Sequence, residues 1–164
     1  MTPGAAVDAA AFKDAMRHFA SGVTIVTTIL DGKPKGFTAT AFSSVSAEPP
    51  MVLICVNRSA RSHPIIAAAG HFCVNVLAVP QQPLAVAFST RNGDPFVDVA
   101  YRREATGSPV FEESLAFFDC ELTEEHTVGT HTIFLGTVVA CGSGPGSPLG
   151  YYGGGYRDLH LPPA

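Results

Sequence analysis

Charge is scarce in this chain. Asp, Glu, Lys and Arg make up 15% of its 164 residues, hydrophobic residues make up 46%, and the formal net charge is −4. No basic run offers phosphate neutralisation, which excludes a nucleic-acid function. Mean hydropathy is positive. With so few charges, that points to apolar surface covered by a partner, commonly an identical subunit. No apolar run approaches the ~18 residues of a membrane span. The opening MTPGAAVDAAAF has neither a basic stretch nor a continuous apolar one. No signal peptide is therefore expected, and the cytoplasm is the default location.

Metal and disulfide patterns are also missing. Cys55, Cys73, Cys120 and Cys141 form no C-x-x-C pair, and each lies in or beside an apolar strand-like run. They read as small buried hydrophobes rather than a disulfide framework. The histidines are scattered, with no H-x-x-x-H pair on a helical pattern, so no metal is expected. Gly142-x-Gly144-x-Gly146 follows a strand but has the wrong spacing for a dinucleotide fingerprint, is interrupted by Pro145 and Pro148, and precedes no helix. A Rossmann site and a P-loop are both excluded.

What is present reads as one domain over 1–164, with an N-terminal extension of about nine residues and a C-terminal tail from 158. Val7–Ser21 has apolar residues at Phe12, Met16 and Phe19, with Asp8 as N-cap and Gly22 as stop, which predicts a helix. Val23–Leu30 predicts a strand that turns at Asp31-Gly32 into a returning strand, Gly36–Ser46. Met51–Asn57 and His71–Val79 predict further strands, and His63–Ala69 and Pro80–Ser89 short helices. A loop over Thr90–Thr106 is followed by strands at Leu115–Thr123 and His131–Cys141. Gly142–Gly150 is a second loop, and Tyr151–Tyr156 an aromatic tail. Six or so strands in mostly antiparallel order, with short helices between, suggest a mainly β fold closed as a barrel.

Three stretches carry chemistry. GFTATAFSSVS at Gly36–Ser46 is too small and too hydroxylated to fill a core, and can bring backbone N–H groups close to something flat and polar. Asn57–Pro64, NRSARSHP, leaves a buried strand and enters a helix at a proline. Its hydroxyls, N–H groups and arginines suit a phosphate. Phe88-Ser89-Thr90-Arg91 repeats the combination at another helix end. No acid–base pair or nucleophile triad stands out beside them.

These stretches lie where the chain resembles a family. FASGVTIVTT from Phe19, GFTATAFSSVSAEPPMVLICVNRSARSHP, FCVNVL from Phe72, Phe88-Ser89, FDCE from Phe118 and VGTHTIFLG from Val128 are similar to the short flavin reductases, in order and spacing. These are the reductase components of two-component flavin monooxygenases. The resemblance covers roughly residues 10–157. It implies a split β-barrel of the FMN-binding type, homodimeric, with flavin at the subunit interface. It assigns Thr38, Ala39, Thr40, Ser43 and Ser44 to the isoalloxazine ring. Cys55, Val56, Asn57, Ser59 and Ser62 fall to ring, ribityl and phosphate, and Ser89 and Arg91 to the phosphate end.

His131 stands where many members have Gly-Asp-His and a histidine that meets the nicotinamide. Here Thr130 replaces the aspartate, so no carboxylate orients the ring. His126 reads as solvent-facing. Tyr156 and Arg157 match an aromatic–basic ending that closes over the site and contacts the nicotinamide or the flavin. The implied activity is NAD(P)H:flavin oxidoreduction, with FMN or FAD reduced by NADH or NADPH and released to a partner monooxygenase. Two alternatives stay open: an enzyme with firmly bound FMN acting on its own small substrate, and a non-catalytic flavin carrier.

Overall fold

In the computed structural model, which describes residues 6–90 and 93–159, the buried backbone of the molecule is set by β2 (Thr24–Leu30). Val23–Thr28 are all buried, as befits a β-branched run paired on both sides. One neighbour is β3 (Lys33–Ala39), reached through Asp31-Gly32, both at positive φ (52° and 72°). The other is β6 (His71–Val76). β9 (Ala116–Val128), β10 (His131–Ser143), β5 (Pro50–Asn57) and β4 (Phe42–Ala47) complete an antiparallel sheet in the order β3-β2-β6-β9-β10-β5-β4.

No ladder joins β3 to β4 among the described residues, so the closed barrel expected from the sequence is an open, split one. Its curl is nevertheless complete enough that Phe37 and Ala39 of β3 and Phe42 of β4 pack on the same core. That core holds Val26, Val52, Ile54, Phe72, Cys120 and Phe134, plugged by Ile66 of α2 (Ser62–Ala69). Gly70, at φ 71°, ends α2 as expected.

A second core lies on the outer side of β2. Ile25, Leu77, Phe111 and Leu149 meet Ala85 and Phe88 of α3 (Gln82–Ser89) there. Phe111 belongs to β8 (Pro109–Phe111), which pairs with β7 (Tyr101–Arg103). β7 begins inside the segment expected to be loop. This two-stranded piece is tied to the sheet by buried polar groups. Asn75 donates through Nδ2 to the Ile25 and Pro109 carbonyls and accepts the Phe111 N–H at 2.9 Å. Asp119, with 0% of its surface exposed, accepts from the Thr106 N–H and hydroxyl.

Other expectations change. The N-terminal helix, α1 (Ala9–Met16), has the Asp8 cap, whose Oδ1 accepts from the Ala10 and Ala11 N–H groups at 2.8 and 2.9 Å. It stops well short of Ser21, because Ser21–Gly22 is taken up as β1 by β11 (Leu149–Tyr152). The aromatic tail is a hairpin, β11 with β12 (Gly155–Asp158), turning at Gly153-Gly154. Gly36–Ser46 is not one strand: it breaks at Thr40-Ala41 into β3 and β4. The cysteines are all free, but only Cys73 and Cys120 are buried; Cys55 is half-buried and Cys141 exposed. Among the described residues no helix is long and apolar enough to cross a membrane, and no group of three His, Cys, Asp or Glu could hold a metal.

Candidate functional site

The split between the two outer strands is where the hydroxylated residues gather. β3 pairs only with β2 and β4 only with β5, so alternate N–H and C=O groups of each edge lack a ladder partner. A groove of about 220 Å³ opens there, lined by Phe37–Ala41, by Cys55–Asn57, and by Ala60 and Ser62. Next to it, Thr38–Thr40 meet Ser89, Tyr151 and Tyr156 around a second hollow of about 250 Å³. A wider cleft of about 680 Å³ continues past Thr40, Ser43 and Cys55 to α1 and the β11–β12 hairpin. The bed of the first groove is mostly small side chains and main chain.

Most hydroxyls expected to face a ligand are already engaged. Thr38 Oγ1 donates to the Ala85 carbonyl at 2.6 Å, fastening β3 to α3. Ser89 Oγ donates to the Val86 carbonyl at 2.8 Å. Asn57 Oδ1 accepts from both the N–H and the hydroxyl of Ser59 at 2.9 Å, which shapes the turn into α2. What these residues offer the groove is therefore their backbone. The first turn of α2 follows, and Arg61 at its N-cap makes no side-chain capping bond. In that turn the His63 N–H donates to the Ala60 carbonyl at 3.1 Å and Pro64 has none, which leaves the Ser62 N–H at the positive end of the helix dipole. Cys55 contributes a neutral thiol, since burial pushes its pKa up.

His131 opens β10, opposite Asn57 of β5 and Val128 of β9. It is exposed, and its Nδ1 lies 2.9 Å from Thr130 Oγ1. The hydroxyl thus takes the orienting place of a carboxylate without adding charge. His126 is exposed and paired with Glu124 at 2.8 Å. His63, at the start of α2, is spent structurally: Nε2 is 2.8 Å from Thr132 Oγ1, and the ring lies against Phe134.

The structure brings Thr38, Ala39, Thr40, Ser43, Cys55, Val56, Asn57, Ser62, Ser89 and Tyr156 to these connected hollows. Val56 is 2% exposed and belongs equally to the core. Ser44, Ser59, His131 and Arg157 line none of the three; Arg157 folds back to donate to the Tyr156 carbonyl at 2.8 Å. Arg91 lies outside the described residues.

A flavin reductase-like domain profile matches residues 16–160. The chain belongs to that family. Relatives carry the same architecture over nearly full length. The reductase component of a 4-nitrophenol 4-monooxygenase/4-nitrocatechol 2-monooxygenase from Rhodococcus opacus is 43% identical, over 90% of this chain and 80% of its own. The FMN reductase (NADH) RutF of Variovorax paradoxus is 38% identical, over 93% of this chain and 86% of its own. The NADH:FAD oxidoreductase SgcE6 of Streptomyces globisporus, solved with NAD and FAD fragments, superposes with a TM-score of 0.87 at 33% identity, covering 93% of each chain.

Within this flavin reductase-like domain, sequence reasoning missed the walls of the wide cleft. Phe12, Met16 and Phe19 have the spacing of a core-facing helix stripe, yet they are 58%, 48% and 68% exposed and line that cleft. The shortage of charge was the available signal that this stripe faces something other than the core. Tyr151 and Ala41 were also missed, because their roles depend on the β11–β12 hairpin and on the break in the returning strand.

Proposed function

We propose that this chain is an NAD(P)H:flavin oxidoreductase working in the cytoplasm, reducing FMN or FAD and releasing it to a partner monooxygenase. The observation that carries the reading is the groove in which the open edge at Thr38–Ala41 meets Cys55–Ser62. Its residues fit a flavin: a bed of alanines and threonines leaves room for a flat ring, unpaired main-chain groups can reach it, and the Ser62 N–H and hydroxyl at the start of α2 can meet a phosphate. Bound flavin would supply the hydride-accepting chemistry.

The chain's own part is positional and electrostatic. N–H groups of Thr38–Ala41 and of Arg61 and Ser62 favour negative charge at the ligand with no ionisable residue. Apolar Phe37 and Val56 exclude water from one side of the groove. His131, beside Thr130, and Tyr156 would orient the nicotinamide. Arg157 and the phosphate-end Arg91 belong to the same reading, as do Ser44 and Ser59 through their main chain. Contacts made mostly by backbone, with little basic clamping, suit a flavin that must leave.

Homodimerisation completes the reading. On the outer face of the sheet, half-buried Leu53 and Cys55 of β5 stand opposite Leu135 and Ile133 of β10. Exposed Val45 and Val139 extend the patch. Leu53 and Cys55 also line the wide cleft, so a second subunit on this face would border the flavin groove.

Anaerobic stopped-flow reduction with each flavin and each nicotinamide tests the activity. Turnover should require added flavin, and reduced flavin should pass through a gel-filtration column separately from the protein. Activity without added flavin, with flavin never leaving, would overturn the reductase-component reading. No bleaching with either NADH or NADPH would make the chain a carrier.

A further inference from the structure

Beyond the phosphate end of the groove, strand and helix part again. A further hollow of about 210 Å³ opens there between β3 and α2, with Lys35 and Phe37 on the strand side and Arg61, Ser62, Ile65 and Ile66 on the helix side. Phe37 and Ser62 line this hollow and the groove alike, so the two are neighbours along one strand. Alternation puts Lys35, Phe37 and Ala39 on the same face of β3, the face on which Phe37 and Ala39 pack against the first core. A ligand that runs out of the groove past Ser62 meets Lys35 next.

Charge sets this hollow apart. The chain has only 10 Lys and Arg and a net charge of −4. Yet among the described residues the only charged side chains on the walls of hollow and groove are two cations, Lys35 and Arg61. Both are exposed, and neither side chain has an ion pair or hydrogen bond among the described residues. The Ser62 hydroxyl has no partner there either. Arg61 stands at the N-cap of α2, where the positive end of the helix dipole opposes a cation. The fold makes no use of either charge, and an anion between them would relieve both.

Resting on the flavin reading above, we propose that this hollow takes the second phosphate of a flavin diphosphate, so that the chain selects FAD over FMN. The first phosphate would meet the Ser62 N–H and hydroxyl, and the second would lie between Lys35 and Arg61. The hollow is smaller than the ~300 Å³ at which pockets begin to enclose a whole small ligand, so the adenosine stays outside it. FMN ends at its first phosphate and leaves Lys35 unpaired. Exposed cations add little each and are screened by salt, which keeps the preference compatible with release.

Calorimetric titration of oxidised FMN, FAD and NAD⁺ into the full-length protein tests this without requiring turnover. At low salt FAD should bind about tenfold more tightly than FMN, and added salt should erode the difference. Lys35→Gln should weaken FAD about fivefold and FMN less than twofold, with NAD⁺ unmoved. Arg61→Gln should also weaken FAD more than FMN, and Lys35→Arg should restore the preference. Equal affinity for FAD and FMN, equal weakening of both by Lys35→Gln, or weakening of NAD⁺ in place of FAD would each overturn the second-phosphate site and leave the flavin groove standing. If neither flavin binds saturably, the groove reading falls with it.

Discussion

Two polar regions of this molecule use the same residue types for opposite ends. Around β7 and β8, Asn75, Asp119, Thr106, Ser108 and His71 form a knot in which side chains bond to main chain and to each other. His71 Nδ1 lies 2.9 Å from Ser108 Oγ, and Ser108 Oγ 2.8 Å from Thr106 Oγ1. Along the groove, by contrast, the hydroxyls of Thr38, Ser59 and Ser89 are tied locally and the backbone is left to face a ligand. The residues that look most chemical, a buried Asp and a His–Ser pair, hold the fold. The site is made of edge-strand backbone and small side chains.

The comparison breaks most readily at Asp119. Asp119→Ala leaves the part-buried Thr106 N–H without its acceptor and Thr106 Oγ1 with Ser108 alone, and should cost about 2 kcal/mol, read from urea unfolding. Flavin affinity of the folded fraction should be unchanged. A stable Asp119→Ala protein that has lost flavin binding would put the knot in the site.

Alkaline pH should act on the same half. Burial, followed by the nearby Asp119 charge, pushes the Cys120 thiol up to about 12 and Cys73 higher still. Both then hold their protons more tightly folded than unfolded, so stability is intact below the unfolded value near ~8.5 and falls as pH rises above it. The loss should approach roughly 1.4 kcal/mol per thiol for each pH unit. A urea midpoint flat from pH 8 to 10 would contradict this. Exposed Cys141 should meanwhile react readily with a thiol reagent in the native protein.

In the groove half, effects should be smaller and confined to ligands. His131→Ala should raise the KM for the nicotinamide about fivefold, on the order of 1 kcal/mol, with flavin affinity nearly intact. A large loss of flavin binding instead would show that His131 is a flavin residue. Smallest of all, Ser44→Ala should leave the flavin dissociation constant within twofold, because Ser44 lines none of the hollows and can act only through its main chain. A tenfold loss, measured by fluorescence titration, would restore a side-chain role.

The order of strands and helices was legible because β-branched runs, the Asp31-Gly32 turn and the Gly70 stop are local signals. The three site stretches were legible because hydroxylated residues recur at element junctions. Pairing across the molecule was not. Ser21–Gly22 reads as the end of a helix until β11 arrives to claim it, and the tail reads as loose until β12 folds onto β11. The same limit applied to the hydroxyls: nothing local in Thr38 says that the carbonyl of Ala85, on a helix 47 residues away, will accept its hydrogen bond. The Phe12, Met16 and Phe19 stripe has correct helical spacing, but spacing alone does not say which surface the stripe meets.

The break at Thr40-Ala41 has a consequence for how the sheet comes to be curved. β3 and β4 stand at opposite ends of the strand order, yet only two residues separate them in the chain. Three Cα steps reach at most about 11 Å. The first four long strands are thus two hairpins on a short tether, and the tether forbids any flat arrangement of the seven. Curvature is imposed covalently, before the last rungs of the ladder form, and the gap it leaves is too narrow to open by sliding one hairpin away from the other.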